Sequence, residues 1–177
     1  MANHDIKQLL NESRFDFISV DDKAFIMALD AAMLACGWGL EATAHYKGYV
    51  CGRYMLIYHK LGVKAKKVVA RIYMRDNGIV LRMYFSGINK HHTYIEKSPP
   101  HIKGVFTGIH GNCGVCGNEH DSSCKHRKTY TIDDNTYVKC DGAVFEFSNP
   151  TIDKLPDYMN LLSDFYPSIK SSTAVYA

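Results

Sequence analysis

The stretch Lys67–Phe85, KVVARIYMRDNGIVLRMYF, decides the fold. Two runs of alternating apolar and polar residues flank Asp76-Asn77-Gly78, the pattern of two half-buried strands joined by a tight turn. Asn77-Gly78 suits a type I′ turn, because both residues tolerate positive φ. With these two as the loop, Asp76 faces Ile79, Met74 faces Leu81, Ile72 faces Met83 and Ala70 faces Phe85. Apart from Asp76 at the turn, that face is apolar and belongs on a core. The other face pairs Tyr73 with Arg82 and Arg71 with Tyr84. A slip of one residue would mix the faces, so the alternation selects the buried side.

Before the hairpin, Ile6, Leu9 and Leu10 mark a short first helix. Ser19 and Asp22 have capping-box spacing, with Asp in place of the preferred Glu. Phe25, Ile26, Leu29, Ala32, Met33 and Cys36 then recur at helical spacing, and Gly37 is a natural left-handed stop. The expectation is a helix over Val20–Cys36 with Cys36 on its core face. From Leu40 to Tyr58, aromatic residues and glycines fit two strands with a turn near Lys47-Gly48. Beyond the hairpin, Asn89 to Lys97 reads as a short helix ended by Pro99-Pro100, and His101 to Phe106 as one further turn. TYTIDDNTYVKC (129–140) reads as strand, turn at Asp134-Asn135, strand, and AVFEF (143–147) as another strand. TIDKLPDYMNLLSDFY (151–166) carries Leu155, Tyr158, Met159, Leu162 and Phe165 at helical spacing. Pro156 is tolerated only in a first turn, so this helix starts near Leu155. The tail from 167 to 177 is expected to fray.

The sum is a single α+β domain over residues 1–177. It has a mainly antiparallel sheet of about four to six strands, with the Val20–Cys36 and C-terminal helices over one face. A zinc-knuckle insertion spans roughly residues 108 to 142.

That insertion rests on cysteine spacing. Four of the six cysteines, Cys113, Cys116, Cys124 and Cys140, follow C-x2-C-x7-C-x15-C. Four thiolates at this spacing suit zinc, which is borderline-soft, redox-inert and tetrahedral. Gly111, Gly114 and Gly117 let the backbone fold tightly around the first pair. Lys125, Arg127, Lys128 and Lys139 would offset a doubly negative centre. His110, His120 and His126 are rivals for one place, and Cys140 is the most distant cysteine. A saturated four-thiolate shell is structural, since catalysis needs an open position. A thioredoxin-type role fits poorly, because Gly114, Gly117 and Asn118 disfavour a helix after the CxxC pair.

Two further constellations are candidates. Trp38, Tyr46, Tyr49, Tyr54 and Tyr58 gather around the first hairpin and could line a ligand pocket, although such residues more often form half-buried core. Arg71, Tyr73, Arg75, Arg82 and Tyr84 share the polar face of the Lys67–Phe85 hairpin. Interleaved cations and aromatics can hold nucleic acid. The blander reading is a solvated sheet face with cross-strand cation–π pairs. The charge of +3, from 21 basic and 18 acidic residues, lacks the excess of a dedicated nucleic-acid binder. His91-His92 reads as an exposed surface pair, with Glu96 at i+4 from His92. Cys51 reads as a strand or turn residue, with a reactive thiol as the alternative. No G-x-S-x-G, P-loop, dinucleotide fingerprint or H-E-x-x-H is present, which lowers the odds of the familiar enzyme classes. The N-terminus MANHDIKQLL has no apolar h-region, and the Ala24–Leu40 window is interrupted by Asp30. A cytoplasmic protein without a membrane partner is expected.

The segments KAKKVVARIYMRDNGIVLRMYF, YIEKSPPHIKGVF, CKHRKTYTIDDNTYVKC and FSNPTIDKLPDYMNLL together resemble a family of small clostridial-type bacterial proteins with no assigned activity. The resemblance runs from about Phe17 to Tyr166. It implies a coherent domain and carries over no catalytic residue. The functional expectation is a non-enzymatic module with structural zinc that binds a small molecule or a protein. Nucleic-acid binding and a metal- or thiol-dependent enzyme are the alternatives.

Overall fold

A computed structural model describes residues 5–43, 52–60, 67–108, 124, 126–140 and 142–167. Helix α1 (Ile6–Leu10) opens on Asp5, whose carboxylate accepts from the Lys7 and Gln8 backbone N–H groups. Helix α2 (Val20–Ala35) opens on Ser19, whose Oγ accepts from Asp22 N at 3.1 Å. The Asp22 carboxylate accepts the Ser19 hydroxyl proton at 2.8 Å. Phe25, Ile26, Leu29 and Met33 turn the inner face of α2 into the core. Cys36 departs from expectation. It is the residue that caps α2, just before the left-handed Gly37 (φ +77), and it is exposed.

Five strands form one antiparallel sheet in the order β1 (Trp38–Thr43), β2 (Tyr54–Lys60), β3 (Val68–Arg75), β4 (Gly78–Tyr84), β7 (Val144–Ser148). The β3–β4 hairpin carries the expected apolar face but not the expected register. Met74 lies opposite Ile79, Ile72 opposite Leu81 and Ala70 opposite Met83. The loop residues are Asp76 and Asn77, and Gly78 pairs with Arg75 at φ +120. A Cβ on Gly78 would collide with the side-chain oxygen of Asn149, whose own N–H donates to Ile79 O at 2.9 Å.

Ala70, Ile72, Met74, Ile79, Leu81, Met83 and Phe85 form the sheet side of the main core. Helices α2 and α5 (Leu155–Phe165) cover it, joined by the edge contact of Phe25 with Tyr158 at 6.1 Å. Pro156 sits in the first turn of α5, as its missing N–H demands. Ile95 from α3 (His92–Lys97) and Ile102 and Phe106 from α4 (Pro100–Thr107) complete the layer. Tyr166 closes the far end, its hydroxyl donating to Tyr84 O.

Between α4 and β7 the chain makes a separate two-stranded ribbon, β5 (Lys128–Ile132) and β6 (Asn135–Lys139). Its turn is Asp133-Asp134, one residue earlier than expected, and both residues hold positive φ, 47° and 61°. The positive-φ pair of a two-residue hairpin is thus here, on two aspartates, and not at Asn77-Gly78. The chain folds as a single α+β domain. Among the described residues, no helix is long and apolar enough to cross a membrane.

Candidate functional site

The ribbon brings together the two turns that carry the candidate metal ligands Cys124 and Cys140. Cys124 begins a turn in which Arg127 N donates to its carbonyl at 2.9 Å, and Cys140 follows β6. Gly142 N donates to His126 O at 2.9 Å, so the two turns are tied together at the open end of the ribbon. Both thiols are half-buried, and an Arg127 guanidinium N–H reaches Cys140 Sγ at 3.6 Å. Half-buried soft donors beside a cation suit a thiolate metal site. His126 lies in the same turn and is exposed. Cys113, Cys116, His110 and His120 lie outside the described residues, as does Cys51. Among the described residues, no group of three or more metal-ligating side chains is assembled.

The ribbon is docked firmly on the helical layer. Tyr130 OH donates to Phe106 O at 2.5 Å, and burial pushes its hydroxyl pKa up. Thr131 N donates to Asn89 Oδ1 at 2.9 Å, and Lys103 pairs with Asp133 at 2.5 Å. Glu96 accepts from Asp133 N at 3.1 Å. Glu96 therefore serves the ribbon and is not the surface partner of His92, whose Nδ1 lies 2.8 Å from Asn89 O. Lys139 is buried, its ammonium 3.7 Å from the Phe145 ring centroid and donating to Val144 O.

Of the aromatic set, Trp38, Tyr54 and Tyr58 are 4%, 8% and 0% exposed and belong to the main core. Trp38 meets Tyr166 edge-on at 5.7 Å, and Tyr54 packs on Phe15 at 4.7 Å. Tyr58 faces Asp30, a buried carboxylate on α2. Burial raises the Asp30 pKa, the Tyr58 hydroxyl opposes that rise, and Asp5 adds to it. Tyr46 and Tyr49 lie outside the described residues.

The basic–aromatic face is not the solvated surface of the blander expectation. Tyr73 is fully buried, with Met55 and Val80 beside it as a second small apolar cluster. Arg71 and Arg82 lie directly opposite one another, so the expected Arg–Tyr pairs form diagonally. Arg82 stands 4.6 Å from the Tyr73 ring centroid and Arg71 5.3 Å from that of Tyr84. Both guanidinium groups donate to the Tyr73 hydroxyl, at 3.0 and 3.3 Å. Arg82 also grips Glu146 on β7 through Nε at 2.7 Å and through a second N–H. Burial pushes the Tyr73 pKa up, and the Arg71 hydrogen bond opposes that rise. Arg75 is half-buried at the turn end of the same face.

A further cluster corrects the expectation that His91 is an exposed surface residue: its side chain is 21% exposed and packs between elements. A groove of about 500 Å³ lies between α3 and α5, bordered by Lys90, His91, Tyr94, Lys97, Asp157 and Asp164 among others. His91 Nδ1 lies 2.6 Å from Asp164 Oδ2, and its ring stacks on Phe165 at 3.9 Å. His101 Nε2 is 3.1 Å from Asp157 Oδ2, an ion-pair contact without hydrogen-bond alignment. Burial raises the Tyr94 pKa, the Ser98 hydroxyl lowers it, and the charges of Asp164 and Asp157 raise it further.

Among known proteins, no family model, no curated protein and no solved structure matches the chain.

Proposed function

We propose that this chain is a soluble, cytoplasmic, non-enzymatic binding module whose β5–β6 ribbon is stapled by a structural zinc ion on Cys113, Cys116, Cys124 and Cys140. The observation that supports it is the meeting of the Cys124 and Cys140 turns at one end of the ribbon, tied by the Gly142 N to His126 O hydrogen bond. Among the described residues the ribbon pairs with no other strand, so a cross-link at its open end adds to the stability that docking on the helical layer supplies. Zinc with four thiolates supplies that cross-link and keeps no open position for a substrate. This favours a binder over a catalyst. His126 is the rival ligand within the described residues, and His110 and His120 are rivals outside them. The partner is a small molecule or a protein. Nucleic acid is disfavoured, because the Tyr73 ring is buried and the Arg82 charge is met by Glu146.

Replacing Cys124 by Ser tests the staple. Zinc content should fall and the melting temperature should drop. Ribbon amides should lose hydrogen-exchange protection before those of the five-stranded sheet. A variant with unchanged metal content and melting temperature would refute the proposal.

A further inference from the structure

The groove between α3 and α5 has two walls of opposite chemistry, and the zinc staple uses neither. One wall is lined by Lys90 and His91, from the 3-10 turn (Ile88–Lys90) and the junction that precede α3, and by Tyr94 and Lys97, three residues apart on α3. On the other, Asp157, Asn160 and Asp164 recur at three- and four-residue spacing along α5, so they share one face. The volume of about 500 Å³ is within the range of small-molecule sites.

Each carboxylate is half committed. Asp164 Oδ2 meets His91 Nδ1 and Asp157 Oδ2 lies 3.1 Å from His101 Nε2, and among the described residues the second oxygen of each has no partner and can accept. Lys90 and Lys97 are exposed and make no ion pair among the described residues. One wall thus offers acceptors and the other ammonium donors. Tyr94 lies close enough to Asp157 and Asp164 to feel both charges. A purely anionic ligand would be repelled by the α5 wall, and a purely cationic one by the lysines. A ligand carrying both charges satisfies the two walls together.

We propose that this groove binds a small zwitterion of the free amino-acid class, with its ammonium on the Asp157–Asp164 wall and its carboxylate on the Lys90–Lys97 wall. This names the ligand class of the binding module above and rests on that reading.

The test is calorimetric titration of the full chain with each standard amino acid, beside propionate and ethylamine as single-charge controls. At least one amino acid should saturate the protein, while the controls should not. Lys97→Met and Asn160→Ala sit at exposed positions and should leave melting unchanged. Lys97→Met should weaken binding on the order of tenfold, the loss of one favourable charge contact. Absence of saturation by every amino acid, equal binding of the controls, or unchanged affinity in Lys97→Met would overturn the proposal. Zinc measured on the same sample separates the two claims. A zinc-replete chain that ignores amino acids refutes the ligand alone, and a zinc-free chain that binds one refutes the staple alone.

Discussion

Arg82→Ala should be far more costly than a substitution on a solvated sheet face. The Arg82 side chain is 14% exposed and its partner Glu146 is 36% exposed. A fully exposed pair contributes about 0–1 kcal/mol, whereas breaking a buried pair costs about 3–5 kcal/mol. Arg82 lies between these limits, with two N–H groups on Glu146, one on the Tyr73 hydroxyl, and its guanidinium over the Tyr73 ring. Truncation strands Glu146 and removes one of the two donors to a buried hydroxyl. It also relieves the repulsion from Arg71 directly opposite. The net expectation is a loss of about 2–3 kcal/mol. For a domain of this size that lowers the melting temperature by about 5–10 °C. Urea unfolding of Arg82→Met, Glu146→Met and the double variant isolates the pair. The double variant should recover part of the summed cost, since it removes both charges from a half-buried place. A loss below about 0.5 kcal/mol for Arg82→Ala would refute the reasoning and return the face to solvent.

Glycines at two positions should respond with opposite sign. Gly78→Ala meets φ +120 and the Asn149 side chain, and should cost about 2 kcal/mol or more. Gly104→Ala lies inside α4 with open space around its Cβ, and should gain about 0.5–1 kcal/mol. Thermal melts of the two variants check both signs. Asp30 carries the pH prediction. Its raised folded pKa means the native state keeps a proton that the unfolded chain releases above 3.8. Stability from this group is therefore present at acid pH and lost as pH rises from 3.8 through the folded value. Asp30→Asn should be more stable than the parent at neutral pH, and that advantage should vanish below the window. A parent more stable than Asp30→Asn at neutral pH would contradict this reading.

Much of the fold was legible because it follows from local chemistry. Ser19 and Gly37 bracket α2, and Pro156 dates the start of α5. The alternation in Lys67–Phe85 identifies the buried side of the hairpin. The register was not legible, for a definite reason. Side chains alternate with period two, so a slip of two residues leaves both faces intact. Alternation therefore could not choose between Met74–Leu81 and Met74–Ile79. The choice falls with Gly78, held inside β4 beneath Asn149, a residue far along the chain. The Arg82–Glu146 and His91–Asp164 pairs are separated by 64 and 73 residues and join different elements. A single sequence carries no local signal for either. The same holds for Glu96, whose partner is the ribbon backbone and not the neighbouring His92. Of the proposed zinc site, the cysteine spacing was legible in the sequence, whereas the hydrogen bond that ties the Cys124 and Cys140 turns together was not.

The zinc staple is tested most directly by elemental analysis of untagged protein, combined with thiol titration before and after chelation. The expected result is about one zinc per chain and about four thiols that become reactive only when the metal is removed. A chain without zinc, whose cysteines all react before chelation, would contradict it.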